Sequence, residues 1–128
     1  MSQTLTALLI HIVFSTKHRA DLIVPAIERD LHRYMGGIGT ALDSPILVSG
    51  GTTNHVHLLV SLSKTIALSD LVMNIKKDSS KWIKTRGPVA SGFRWQDGYS
   101  AFSIGESGHA ALEKYIRTQK EHHRKTSF

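Results

Sequence analysis

The chain contains no cysteine. Disulfide bridges, thiolate metal ligands and thiol nucleophiles are therefore excluded, and a cytoplasmic setting fits. No apolar run approaches the roughly 18 residues of a membrane span. The N-terminus lacks a basic segment followed by an apolar stretch and a cleavage site, so no signal peptide is expected. No repeat, low-complexity tract or long linker interrupts the chain. What is present is ordinary for a folded domain: 128 residues, 41% of them apolar, expected as one unit over residues 1–128. Lys and Arg number 16 against 10 Asp and Glu, a net charge of +6. A small basic domain suits a polyanionic partner such as nucleic acid; the bland alternative is a mildly basic solvated surface.

Hydrophobic periodicity divides the chain into alternating elements. Leu5 to Thr16 is rich in Leu, Ile and Val and reads as a buried strand, closed by Lys17-His18-Arg19. Pro25 suits the first turn of a helix. Ile27, Leu31 and Tyr34 continue it at helical spacing until Gly36-Gly37, where it is expected to stop. Pro45 to Ser49 reads as a strand, Gly50 to Thr53 as a turn, and His55 to Leu62 as the returning strand of a hairpin. Ser69 is a candidate cap for a helix to about Thr85, with Leu71, Ile75, Trp82 and Ile83 on its apolar side. Phe93-Arg94-Trp95 and Tyr99 to Ile104 read as extended segments around an Asp97-Gly98 turn. Ser107 is a candidate cap for a last helix to Arg124. The order β-α-β-β-α-β-α predicts an α+β, ferredoxin-like fold: a split βαβ, RRM-like antiparallel sheet with helices on one face and an added C-terminal helix.

Two patterns carry chemistry. In Asn54-His55-Val56-His57-Leu58-Leu59-Val60, the imidazoles stand at i and i+2 of a strand and point to the same face. Two imidazoles on a rigid sheet form half of a candidate metal site. On the last helix, Leu112 and Ile116 mark an apolar stripe, and Tyr115 and Gln119 fall on or beside it, four residues apart and so neighbours. One reading is a Tyr packed at an interface and a Gln bonded to backbone. The other joins the two halves: two neutral imidazoles and an amide oxygen hold a divalent cation, and the tyrosine hydroxyl attacks phosphorus.

These residues resemble the HUH single-strand DNA nucleases, and more narrowly the single-tyrosine transposases of the insertion-sequence 200/605 type with their REP-associated relatives. The resemblance runs through five blocks in family order. They are His11 to Lys17 (HIVFSTK), Asn54 to Val60 (NHVHLLV), Ser79 to Ile83 (SSKWI), Trp95 to Ser103 (WQDGYSAFS) and Tyr115 to His123 (YIRTQKEHH). By position it implies that His55, His57 and Gln119 are metal ligands, that the cation is Mg2+ or Mn2+, and that Tyr115 is the nucleophile on the C-terminal helix. It implies cleavage and rejoining of single-stranded DNA near hairpin ends through a 5′-phosphotyrosine, leaving a free 3′-OH. It also implies a bacterial or archaeal protein in the cytoplasm at the nucleoid, and a homodimer in which the Tyr helix of one subunit completes the site of the other. The chain departs from the family pattern at Asn54, where many members carry Asp, and it stops at Phe128, where members usually continue. The first removes a negative charge beside the cation. The second is expected to loosen the Tyr helix or trim DNA contacts.

Other residues have weaker claims. Lys76, Lys77, Lys81, Arg94 and Arg117 are candidates for phosphate contact, although cationic faces are usually just solvated. Tyr99, Phe93, Trp95 and Phe102 read as core and turn packing, and Tyr34 as core. His11, His18, His32 and His109 read as structural or surface residues, and His122 and His123 as a basic helix end. Two rival functions remain: a non-catalytic hairpin-DNA binder with the same fold, and an RNA-binding module. The second would carry exposed sheet aromatics, whereas these strands are mostly aliphatic.

Overall fold

Alternation in two neighbouring strands sets the architecture. The computed structural model describes residues 8–119, the side chain of Val89 excepted. Strands β1 (Leu9–Ser15) and β3 (His55–Ser61) form the antiparallel centre of a four-stranded sheet, with Val13 opposite His57 and Ser15 opposite His55. Strand β2 (Ile46–Gly51) flanks β3, and β4 (Ser100–Ile104) flanks β1, giving the order β2-β3-β1-β4. Helix α1 (Pro25–Ala41) joins β1 to β2, α2 (Leu68–Ile83) joins β3 to β4, and α3 (His109–Arg117) follows. This is the expected split βαβ arrangement with an added C-terminal helix.

Because strand side chains alternate, the sheet has two distinct faces. Ile12, Phe14, Val56, Leu58 and Val60 face α1 and α2 and are buried with Leu31, Met35, Leu71 and Ile75 in the main core. Ser79 and Trp95 join them, the indole N–H donating to the Ser79 hydroxyl at 3.0 Å. The opposite face receives α3, where Val48, Leu59 and Ile116 form a second, smaller cluster. A bulge at Leu47 lets β2 serve both: Ile46 pairs with Val60 and Val48 with Leu59, so the strand changes phase between them.

Several local expectations are corrected. Helix α1 runs through Gly36-Gly37 to Ala41, because Ile38 and the buried Gly39 continue its packed face. Packing there outweighs a helix penalty of about 1 kcal/mol per glycine. The helix closes at Leu42, and Asp43 takes the left-handed conformation (φ 53°) common after a helix end. Gly50 and Gly51 belong to β2, and the reversal is confined to residues 52–54. Ser69 lies inside α2, which starts after Ala67 without a side-chain cap, and Ser107 lies in a short 3-10 turn before α3. The two segments around Asp97-Gly98 do not pair with each other. Trp95 bridges to Thr16 and Ser100–Ile104 pairs with β1, so residues 96–99 loop outward from a single sheet edge. Tyr34 is 38% exposed and stacks on Trp82 at 5.2 Å rather than entering the core. The expected stretches 5–7 and 120–124, and His122 and His123, lie outside the described residues.

Candidate active site

The face of β3 opposite the main core begins with His55 and His57, both buried, their ring centroids 5.1 Å apart. Each ring is held by a neighbour. His55 Nδ1 lies 2.8 Å from Asn54 Oδ1 and 3.0 Å from the Thr52 hydroxyl. With the amide oxygen as acceptor, His55 carries its proton on Nδ1 and its lone pair on Nε2. His57 Nδ1 lies 2.9 Å from His11 Nε2, and the two rings stack at 5.1 Å. Burial lowers the His11 pKa, which favours the neutral imidazole, whose Nε2 can accept a hydrogen bond from His57 Nδ1–H. Fixing one ring nitrogen in this way is how proteins present the other to a metal.

Helix α3 brings the second half. Ile116 anchors it and is fully buried against the sheet. The helix can lie this close because residue 50 is glycine: a Cβ there would sit 2.3 Å from the Ile116 carbonyl oxygen. Tyr115 then meets His57 edge-on, with ring centroids 5.8 Å apart. Gln119 is 1% exposed. Its amide N–H donates to the Tyr115 carbonyl at 3.3 Å, which turns its oxygen toward His55 Nε2 at 3.4 Å. His55 Nε2 and the Gln119 amide oxygen thus converge, two donor atoms that a cation could share in place of their hydrogen bond. Among the described residues no group of three His, Cys, Asp or Glu is placed to hold a metal. A cation here would depend on His55, His57 and the Gln119 amide, two nitrogen donors and one oxygen.

A cavity of about 460 Å³ opens over His55, His57 and Tyr115, also lined by Arg19, Asp97 and Tyr99. Tyr99, expected in packing, is 41% exposed here. The loop of residues 96–99 is tied down by Lys76, whose ammonium donates to the Gln96 and Gly98 carbonyls at 2.6 and 2.8 Å. Burial lowers the Lys76 pKa, and the Asp97 carboxylate offsets only part of this. Arg19 follows His18 in a turn where both take left-handed backbone, φ 56° and 58°. Such a conformation costs a non-glycine residue about 1–2 kcal/mol.

The other basic candidates are dispersed. Lys77 and Lys81 are exposed on α2. Arg94 and Lys76 line a shallow groove of about 280 Å³. Arg117 bonds the Glu113 carboxylate at 2.9 Å and borders a separate cavity of about 780 Å³ with Arg29 and Arg33. His11 and Arg19 were not singled out from sequence. The alternation that aligns His55 with His57 also applies to β1, but only the β1–β3 register shows which β1 residue meets them.

The fold and the paired histidines define a small α+β domain with a candidate metal centre, and comparison with known proteins specifies its family. A family profile described as "Transposase IS200 like" matches residues 4–119. The chain belongs to the IS200-like transposase family, and so to the DNA-cleaving enzymes of transposition. The ISDra2 transposase TnpA of Deinococcus radiodurans is 23% identical over 116 residues, covering 87% of this chain and 83% of that protein. A transposase crystal structure from Deinococcus radiodurans superposes with a TM-score of 0.72 at 21% identity, covering 93% of this chain and 98% of that one. A REP-associated tyrosine transposase bound to a REP hairpin superposes at 0.67 with 14% identity, covering 92% and 72%. These two likenesses establish the shared fold.

Proposed function

We propose that this transposase cuts and rejoins single-stranded DNA beside hairpins, with Tyr115 as nucleophile and a divalent cation held by His55, His57 and Gln119. The observation that carries the reading is the meeting of His55, His57 and Tyr115 at one cavity, with the buried Gln119 amide oxygen 3.4 Å from His55 Nε2. When bound, Mg2+ or Mn2+ would polarise a phosphate oxygen and stabilise charge in the transition state. The remaining work falls to the protein. Asn54, Thr52 and His11 orient the two imidazoles. Gln119 is aimed by its own bond to the Tyr115 carbonyl. Tyr115 is 37% exposed, so its hydroxyl can meet a strand entering from solvent. The Oη–P bond forms as the P–O3′ bond breaks. The tyrosine proton passes to solvent, and the 3′ oxygen leaves as a hydroxyl. The 5′-phosphotyrosine keeps the phosphodiester energy, so a later 3′-OH can reseal the strand. Hairpin recognition draws support from the REP hairpin bound by the related structure.

Tyr115 and Gln119 reach His57 and His55 of the same chain. A homodimer would therefore not need to exchange α3 to complete a site. A cytoplasmic, nucleoid-associated setting follows from the DNA substrate. Among the described residues no helix is long and apolar enough to cross a membrane.

The test is incubation with Mn2+ and single-stranded DNA from the flanks of the gene, read on a denaturing gel. The native chain should form a covalent adduct. Tyr115→Phe should form none while still shifting hairpin DNA on a native gel. An adduct with Tyr115→Phe would sink the assignment. Mixing Tyr115→Phe with His57→Ala should restore nothing if sites are completed within one chain; recovery would establish exchange between subunits. A second reading, a hairpin binder without cleavage, is favoured by the neutral Asn54 beside His55. It predicts binding without any adduct.

A further inference from the structure

Resting on the reading above, we propose that Arg19 contacts the scissile phosphate and neutralises a non-bridging oxygen while Tyr115 attacks. Three observations place it there. Arg19 lines the cavity that holds Tyr115, His55 and His57. Its side chain is exposed and makes no ion pair with any described residue. The nearby Asp21 carboxylate is instead engaged by the Thr53 hydroxyl at 2.6 Å. The acid that lines the cavity, Asp97, interacts with the Lys76 ammonium.

The backbone beneath Arg19 is built for position rather than for ease. Two consecutive non-glycine residues, His18 and Arg19, hold left-handed backbone. Such conformations persist only where the surroundings over-determine them, and they gather at functional sites. The surroundings here are bonded directly to the site. The fully buried Thr16 hydroxyl lies 2.6 Å from the Ala20 carbonyl and 3.1 Å from that of Asn54, the residue that holds His55. The Lys17 N–H donates to the Arg94 carbonyl, and the His18 N–H to the Gln96 side chain in the loop bordering the cavity. The turn is thus fastened both to the histidine hairpin and to the outer loop. A guanidinium standing between them suits a phosphate, which it can grip with two parallel N–H bonds. Charge spreads onto non-bridging oxygens as the Oη–P bond forms and the P–O3′ bond breaks, and a fixed cation acts on that change.

The experiment compares native, Arg19→Ala and Arg19→Lys chains in single-turnover adduct formation, on saturating hairpin DNA from the gene flank with Mn2+. Arg19→Ala should slow the adduct roughly 100-fold, the loss usual for one transition-state donor. Hairpin binding should stay within about threefold, because most phosphate contacts lie elsewhere. Arg19→Lys should recover to within about tenfold of native, since a point charge replaces part of the fork. An Arg19→Ala rate within threefold of native would overturn the assignment. Equal slowness of Arg19→Lys and Arg19→Ala would also overturn it, since charge would then not be what matters. If the native chain forms no adduct, the strand-transfer reading falls and the inference with it. A native adduct with an unimpaired Arg19→Ala removes the Arg19 role alone.

Discussion

The two faces of one sheet do different work. On one, Ile12, Phe14, Val56, Leu58 and Val60 meet α1 and α2 without a polar side chain among them. On the other, the neighbours of those same residues are His11, Val13, Ser15, His55 and His57, met by a short helix through Ile116 and Leu112. Two strands therefore supply both core and site, sorted by odd and even position. The core face makes the strands rigid, and that rigidity holds the two imidazoles at a fixed spacing. The site face is polar, and each of its histidine rings has a neighbour that orients it. The contrast explains how so small a domain carries a buried polar site: most of its stability is secured on the far side of the same strands.

Adjacent substitutions on β3 should separate the two roles most sharply. Leu58→Ala should cost about 2–5 kcal/mol of stability, as large-to-small changes in a packed core do. His57→Ala, one residue away, should lower stability by about 1 kcal/mol, the centre of the range for point changes, and abolish the covalent adduct. Urea unfolding and the gel assay measure the two effects. A His57→Ala chain as unstable as Leu58→Ala would show that the site face is structural after all.

The next test acts on how closely the second half of the site docks. Gly50→Ala places a methyl group against the Ile116 carbonyl. Backbone opposes it, so α3 must move outward. Overpacking of this kind costs about 1–3 kcal/mol. A displacement near 1 Å should also slow adduct formation about 100-fold, as misplaced reacting groups do. Thermal unfolding and single-turnover rates read both. A Gly50→Ala chain with native rates would mean that α3 need not lie where it does for chemistry.

The two faces were unequally legible in the sequence. The pair at i and i+2 placed His55 and His57 together because strand periodicity alone decides it. The i, i+4 rule likewise made Tyr115 and Gln119 neighbours. Donor chemistry suggested joining those halves and family resemblance supported it, since no local rule brings α3 to β3. His11 reads only as a structural or surface residue and Arg19 only as the end of a strand, because their placement depends on register and on two left-handed residues outside any glycine motif. The paired glycines misled in both places: Gly36-Gly37 sits inside a helix held by packing, and Gly50-Gly51 ends a strand so that a helix can approach. Lys76 stands out as a candidate phosphate contact because charge is visible in sequence; its bonds to two loop carbonyls are visible only in the fold.

The smallest expected effect concerns the support beneath the site. His11 touches His57 through one ring nitrogen at 2.9 Å, and its far side packs near Phe102 at 6.2 Å. His11→Leu keeps much of the volume and removes the acceptor that fixes the His57 ring. His57 can then turn or change tautomer, and the nitrogen offered to a cation is no longer set in advance. Loss of such a supporting bond typically costs 10–100-fold in metal affinity or activity. Mn2+ titration followed by electron paramagnetic resonance should show a decrease of about that size in His11→Leu, with hairpin binding intact. His11→Asn, which retains a carbonyl acceptor on a shorter side chain, should recover part of it. Unchanged Mn2+ affinity in His11→Leu would mean that the sheet alone orients His57, and that the polar face needs no more support than the apolar one gives it.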